Sequence, residues 1–159
     1  MKRIAPLLAA LLLAGCATTQ PATLSVSFDD AEFARQMAPG TAKIVGQAFL
    51  KTAGGDVKYG AGNEVLLFPA NAYTIESRRL AMEGTYTEKD PRFTKYIRKT
   101  VADGNGNFEF SGLAAGRYFL ECHIVWQYAA GQFLANTGGY AKGDVTVKDG
   151  ETVKVIVTK

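Results

Sequence analysis

The chain has 159 residues, of which 18 are Lys or Arg and 15 are Asp or Glu, so its formal net charge near neutral pH is +3. No basic cluster interrupts this balance, which argues against nucleic acid as a partner. The 17 glycines and the aromatic content of 11% are typical of a turn-rich, all-β chain, and the length suits one domain with a real core.

The N-terminus has the order of a secretory signal. Lys2 and Arg3 are followed by an apolar run from Ile4 to Leu13, and then by small residues. The run is about half as long as a helix that spans a bilayer. These residues by themselves leave open a short transmembrane anchor or a plain cleaved signal peptide.

The end of this segment, Leu13-Ala14-Gly15-Cys16, resembles the lipobox of bacterial lipoproteins. The resemblance implies cleavage before Cys16 and a diacylglycerol on its sulfur, so the lipid would hold the protein at a membrane of the cell envelope. It also implies the outer membrane, facing the periplasm or the exterior, because Ala17 stands where an Asp usually signals retention in the inner membrane. The mature chain would have lost Lys2 and Arg3 and would carry a net charge of about +1.

The sequence divides into a signal peptide (1–15), a lipidated N-terminus with a tether (16–40) and a compact domain (41–159). The tether is polar over 18–23 and contains a proline. The alternation over 24–28 is compatible with a short edge strand.

A short helix is also possible inside the tether region. Asp29 or Asp30 can cap one or two turns that carry Phe33 and Met37 on one face.

The domain is predicted to be an all-β sandwich with one short helical insertion. Alternating or apolar runs separated by turn signals predict the strands, whereas good helix formers before Gly84 predict a helix over 73–83. Residues 127–143 are predicted to be loop-rich, and the chain is predicted to end in a hairpin of 144–147 with 152–158. The other predicted strands are 43–50, 64–68, 93–101, a run through Phe108 and Phe110, and one that carries Tyr118, Leu120, Cys122, Ile124 and Trp126 on one face.

The stretch from Val101 to Leu120 resembles the core motif of carboxypeptidase regulatory-like domains. The motif is an Asp/Gly turn, then F-x-F, then G-L-x-x-G-x-Y-x-L. The resemblance implies a transthyretin-like (prealbumin-like), seven-stranded sandwich over 41–159, and it implies no particular activity. The matching residues are Asp103, Gly106, Phe108, Phe110, Gly112, Leu113, Gly116, Tyr118 and Leu120.

Catalytic and metal chemistry find little support in the sequence. His123 is the single histidine, which cannot build a histidine-rich metal site. Asp103 and Asn105 begin like a calcium loop, but Phe108 and Ala114 occupy two of its defining positions. Cys122 is predicted to be a buried apolar residue. We therefore predict no cofactor, no metal and no enzymatic activity.

Two insertions, 71–95 and 127–143, carry most of the aromatic residues outside the motif, and long ordered loops are frequently functional. Burial against the sandwich is an equally good explanation of these residues. The candidate binding residues are Tyr73, Arg79, Trp126, Tyr128 and Tyr140.

Two functions of different class remain open at this stage. One is a non-catalytic interaction or structural module that docks another envelope protein. The other is a glycan or small-molecule binding module that uses the aromatic loop surface, in which case a pocket lined by exposed aromatic and polar groups is expected.

Overall fold

The computed structural model describes residues 22–159. The predicted signal peptide, Cys16 and the first part of the tether lie outside the described residues. Within the described part, no helix is both long and apolar enough to cross a membrane.

The first sheet is built around strand β1 (Pro39–Lys51). Alternation along β1 buries Ile44, Ala48 and Leu50 on one face. Its antiparallel partner is β5 (Asn107–Leu113), with Ile44 opposite Phe110. The C-terminal end of β1 pairs with β2 (Val57–Tyr59), and its opposite edge pairs in parallel with β8 (Thr152–Val157).

The second sheet has the strand order β4, β3, β6, β7. These strands are β4 (Arg98–Val101), β3 (Glu64–Pro69), β6 (Gly116–Ala130) and β7 (Phe133–Val147). All three junctions are antiparallel. Its inner face packs on the first sheet, which confirms the predicted all-β sandwich.

The outer face of the second sheet is covered by short helical segments. They are α1 (Asp30–Gln36), α2 (Ala72–Met82) and a 3₁₀ helix (Pro91–Tyr96). Asp29 caps α1, and Asn71 caps α2 through a reciprocal hydrogen-bond pair with Thr74. Both predicted helices are therefore present, and 24–28, which forms no strand, packs beside them.

The core between the sheets confirms the face assignment of the motif. Tyr118 is buried, and its hydroxyl donates to the carbonyl oxygens of Ala114 (2.8 Å) and Gln36 (3.0 Å). Trp126 is only partly buried at the edge of this core. The buried motif residues are Phe108, Phe110, Leu113, Tyr118 and Leu120.

Two sequence predictions about strands are wrong. Residues 91–96 form a 3₁₀ helix rather than the start of a strand, because Asp90 caps it and Pro91 favours a helical first position. The C-terminal strands do not form a hairpin: β8 pairs with β1 in the other sheet, and the one bridge to β7, between Thr158 and Lys142, lies just after the end of β8. The described residues also contain eight strands instead of seven, since β2 forms in a predicted loop.

The predicted loop over 127–143 is also wrong. β6 and β7 continue as one long hairpin, paired from Gly116–Val147 to Ala130–Phe133. The reversal uses Gly131, whose φ is 66°, a value that suits glycine in a two-residue hairpin turn.

Candidate functional site

The predicted binding residues lie in different places. Tyr73 is buried in a cluster of aromatic rings, and its hydroxyl accepts a hydrogen bond from the backbone of Asp90 at 2.7 Å. Arg79 lies on the exposed side of α2, in an ion pair with Glu83 at 2.7 Å. The surroundings of Tyr73 indicate packing, so the candidate site below does not include it.

Three of the predicted binding residues are aromatic residues of the β6–β7 hairpin, and they lie on two faces of it. Trp126 and Tyr128 are opposite Thr137 and Ala135, on the face that continues the core side. Tyr140 is opposite His123 in the register, and alternation places this pair on the outer face. The three aromatic rings therefore do not form one continuous surface.

A cleft of about 410 Å³ lies between the outer face of the second sheet and the segment that runs from α2 to Ile97. This volume is within the range of small-molecule sites. Tyr140 and Lys142 of β7 and Glu121 of β6 contribute to it from the sheet. The side chains that line it from β3, α2 and the following segment include Leu66, Phe68, Ser77, Arg78, Lys89, Phe93 and Ile97.

An aromatic surface lies at the edge of this cleft. The rings of His123 and Tyr140 are stacked, with centroids 4.5 Å apart and an angle of 24° between their planes. Tyr140 remains 54% exposed. One face of the Tyr140 ring is therefore supported by the imidazole, and the phenol is held in place without being buried.

The charged groups of the cleft are mostly cationic. The Arg78 guanidinium lies 4.3 Å from the centroid of Phe119 and donates to the carbonyl oxygen of Gly143 at 3.1 Å. Glu121 and Lys142 are opposite each other in the register. Among the described residues that line the cleft, Arg78, Lys89 and Lys142 provide three positive charges and Glu121 provides one negative charge.

Sequence reasoning missed most of these residues. Arg78 is not among the candidates that the sequence suggests, and the sequence raises His123 only in connection with a metal site. A partial signal was available, because alternation along β6 separates Glu121 and His123 from the core side chains. The sequence did not indicate that α2 would cover this face.

Two features of the described residues concern nucleophilic and metal chemistry. Cys122 is fully buried, and desolvation raises the pKa of its thiol, which disfavours the reactive thiolate. Residues 22–159 contain no group of three or more His, Cys, Asp or Glu side chains that could hold a metal ion. The cleft itself places one aromatic face beside several hydrogen-bonding groups, an arrangement that can hold a ligand.

Comparison with solved structures identifies a protein of similar fold. The fold is similar to the crystal structure of a protein from Pseudomonas aeruginosa that is called a "putative carbohydrate binding protein". The TM-score is 0.71 and the identity is 26%, over 84% of this chain and 99% of the other. No protein-family model matches the chain, and no curated protein matches it in sequence. The resemblances to lipoproteins and to carboxypeptidase regulatory-like domains stay predictions.

Proposed function

We propose that this protein is a non-catalytic, carbohydrate-binding module of the cell envelope, and that it binds glycans in the cleft beside Tyr140. The observation that carries the proposal is the exposed, histidine-supported Tyr140 ring at the edge of a cleft that also contains Arg78, Glu121 and Lys142. The likeness to a structure that is called a carbohydrate-binding protein supports the same ligand class.

The chemistry of the cleft suits a sugar ring. The apolar C–H face of a pyranose can stack on the Tyr140 ring, since aromatic side chains present a large flat surface with a polar end. Arg78 and Lys142 can donate hydrogen bonds to sugar oxygens, and the Glu121 carboxylate can accept them. The excess of positive charge favours glycans that carry carboxylate or sulfate groups.

The proposed module binds without cleaving. Most glycoside hydrolases use two carboxyl groups on either side of the scissile bond. Among the described residues that line this cleft, Glu121 is the single carboxylate. The pair of carboxyl groups that such a hydrolase uses therefore has no counterpart among these residues.

The test is a panel of neutral and acidic oligosaccharides, followed by titration calorimetry with the tightest ligand. We expect Tyr140→Ala to weaken binding at least about tenfold, because the stacking face is lost, which corresponds to about 1.4 kcal/mol. Tyr128→Ala is the matched control: Tyr128 is 49% exposed on the other face of the same hairpin. If both variants bind like the wild type, or if Tyr128→Ala alone weakens binding, the cleft is not the site.

The proposed location depends on Cys16. We expect Cys16→Ala to leave an unprocessed precursor that incorporates no labelled palmitate. Cys122→Ala is the control, because Cys122 is the other cysteine of the sequence and is buried in the sandwich. Normal processing and labelling of the Cys16 variant would rule out the lipid anchor.

A further inference from the structure

One wall of the cleft comes from a segment that forms no helix or strand of its own. Residues 85–90 connect α2 to the 3₁₀ helix, and they bring Lys89 to the cleft. Within the described chain, their backbone has one hydrogen bond with the backbone of a residue outside 80–93, which Ala22 donates to Tyr86 at 2.9 Å. The position of Lys89 therefore depends on a part of the chain far away in sequence.

Residues 22–28, which we call the strap, lie against this wall. Ala22 forms an isolated parallel bridge with Thr87, and the ring of Phe28 lies 4.8 Å from the Arg92 guanidinium, just past the wall. Lys89 lines both the cleft and a groove between the strap and the wall. No residue of the strap lines the cleft itself, so any effect of the strap on a bound glycan is indirect.

The carboxylate of Glu76 fastens the strap to α2. It accepts hydrogen bonds from the Ser25 hydroxyl at 2.5 Å, from the Ser25 backbone at 3.1 Å and from the Val26 backbone at 2.9 Å. Hydrogen bonds to an ionised acceptor are among the strong ones in proteins. No other side chain among the described residues forms a hydrogen bond with the strap, so Glu76 is its main polar attachment.

Glu76 itself does not face the cleft. The side of α2 that lines the cleft includes Ser77 and Arg78, and Glu76 precedes Arg78 by two residues, which is about 200° around a helix. The wall is held on the side of Ser77, whose hydroxyl lies 3.5 Å from that of Thr87. The wall thus lies between the strap and the cleft, and Glu76 lies on the side of the strap.

We infer that Glu76 is a positioning residue for the glycan site: by fastening the strap to α2, it holds residues 85–90, and with them Lys89, where the ammonium group can donate to a sugar oxygen or an acidic substituent. The inference rests on the proposed function, because it takes the cleft as the glycan site. Its effect passes through a continuous series of contacts, from Glu76 to the strap, from Ala22 to Tyr86, and along the wall to Lys89.

The experiment is a calorimetric titration of Glu76→Ala with the oligosaccharide that binds the wild type most tightly in the panel. We expect binding to weaken at least about fivefold, the lower end of typical coupling between separate sites. Glu83→Ala is the matched control, because Glu83 is an exposed carboxylate at the end of the same helix, paired with Arg79. Both variants remove one negative charge from α2, and the control should bind like the wild type.

A double-mutant cycle with Lys89→Ala separates positioning from general loosening of the fold. If Glu76 acts through Lys89, then Glu76→Ala should have little further effect on binding in the Lys89→Ala background. A general loss of structure would weaken binding equally in both backgrounds. Ser25→Ala, which removes the hydroxyl hydrogen bond alone, should give a smaller loss of affinity in the same direction, and urea unfolding checks that each variant is folded in the titration.

Three results would overturn the inference and leave the cleft as the glycan site. They are wild-type affinity in both Glu76→Ala and Ser25→Ala, an equal loss of affinity in Glu83→Ala, and an undiminished effect of Glu76→Ala in the Lys89→Ala background. If the wild type shows no saturable binding to any member of the panel, the proposed function itself fails, and this inference fails with it.

Discussion

Phe110→Ala is expected to lower the free energy of unfolding by about 3–5 kcal/mol. Phe110 is buried between the two sheets, opposite Ile44 in the register and 6.0 Å from the ring of Phe108. Removing the ring deletes apolar contacts and leaves a cavity that paired strands on both sides cannot easily close. Urea unfolding of the purified variants measures the loss.

Phe133→Ala is the control for this measurement. It removes the same atoms from an exposed position and should change the free energy of unfolding by less than about 0.5 kcal/mol. A loss below about 1 kcal/mol for Phe110→Ala would contradict the assignment of this strand face to the core.

Phe33→Ala is expected to have a comparable effect, about 3–5 kcal/mol. Phe33 is fully buried, although it precedes the predicted domain boundary at residue 41. The centroid of its ring lies 4.7 to 6.0 Å from the centroids of four other aromatic rings. The alanine variant therefore loses contacts with several elements at once. The rings that surround it are those of Phe28, Tyr73, Phe93 and Tyr96.

The same variant tests whether the N-terminal segment folds together with the sandwich. One cooperative transition that moves to lower urea concentration is expected, because α1 is tied to the sheet through Gln36 and the Tyr118 hydroxyl as well as through Phe33. A separate early transition, or an unchanged midpoint, would mean that the segment is an independent appendage.

The local features of the fold were predictable from sequence. Period-two alternation located β1, and the apolar run that stops at Pro69 located β3. The Asp/Gly turn with its F-x-F sequence located β5 and the start of β6. These predictions succeeded because side chains of one short segment decide them. The carboxylate of Asp103 accepts hydrogen bonds from the side-chain amide of Asn107 at 2.9 Å and from the backbone of Asn107 and Asn105 at 2.8 Å each. These contacts, the side-chain one first, also lower the carboxyl pKa.

Features decided by distant parts of the chain were not predictable in this way. The run from Ala129 to Gly139 contains three glycines, one Asn and one Thr and is typical of a loop. It forms strand because β6 and β7 pair with each other along this region. The parallel pairing of β8 with β1 joins segments about a hundred residues apart in sequence, which no local pattern signals.

The candidate cleft shows the same limitation. The sequence predicts Tyr140 as a candidate binding residue. It does not predict its neighbours in the cleft, Arg78 and Glu121, which come from α2 and β6. Their proximity depends on α2 packing across the outer face of the second sheet, which is held by Arg78 on Phe119 and by the cap of Asn71.

The most direct measurement of the central claim is a map of backbone amide NMR shifts during titration with the tightest oligosaccharide. If glycans bind in the cleft, the largest changes should fall on Glu121, Tyr140 and Lys142 and on the second half of α2, with little change over residues 127–136 at the end of the β6–β7 hairpin. Largest changes at Trp126, Tyr128 and Phe133, or no saturable change with any member of the panel, would contradict the proposed site.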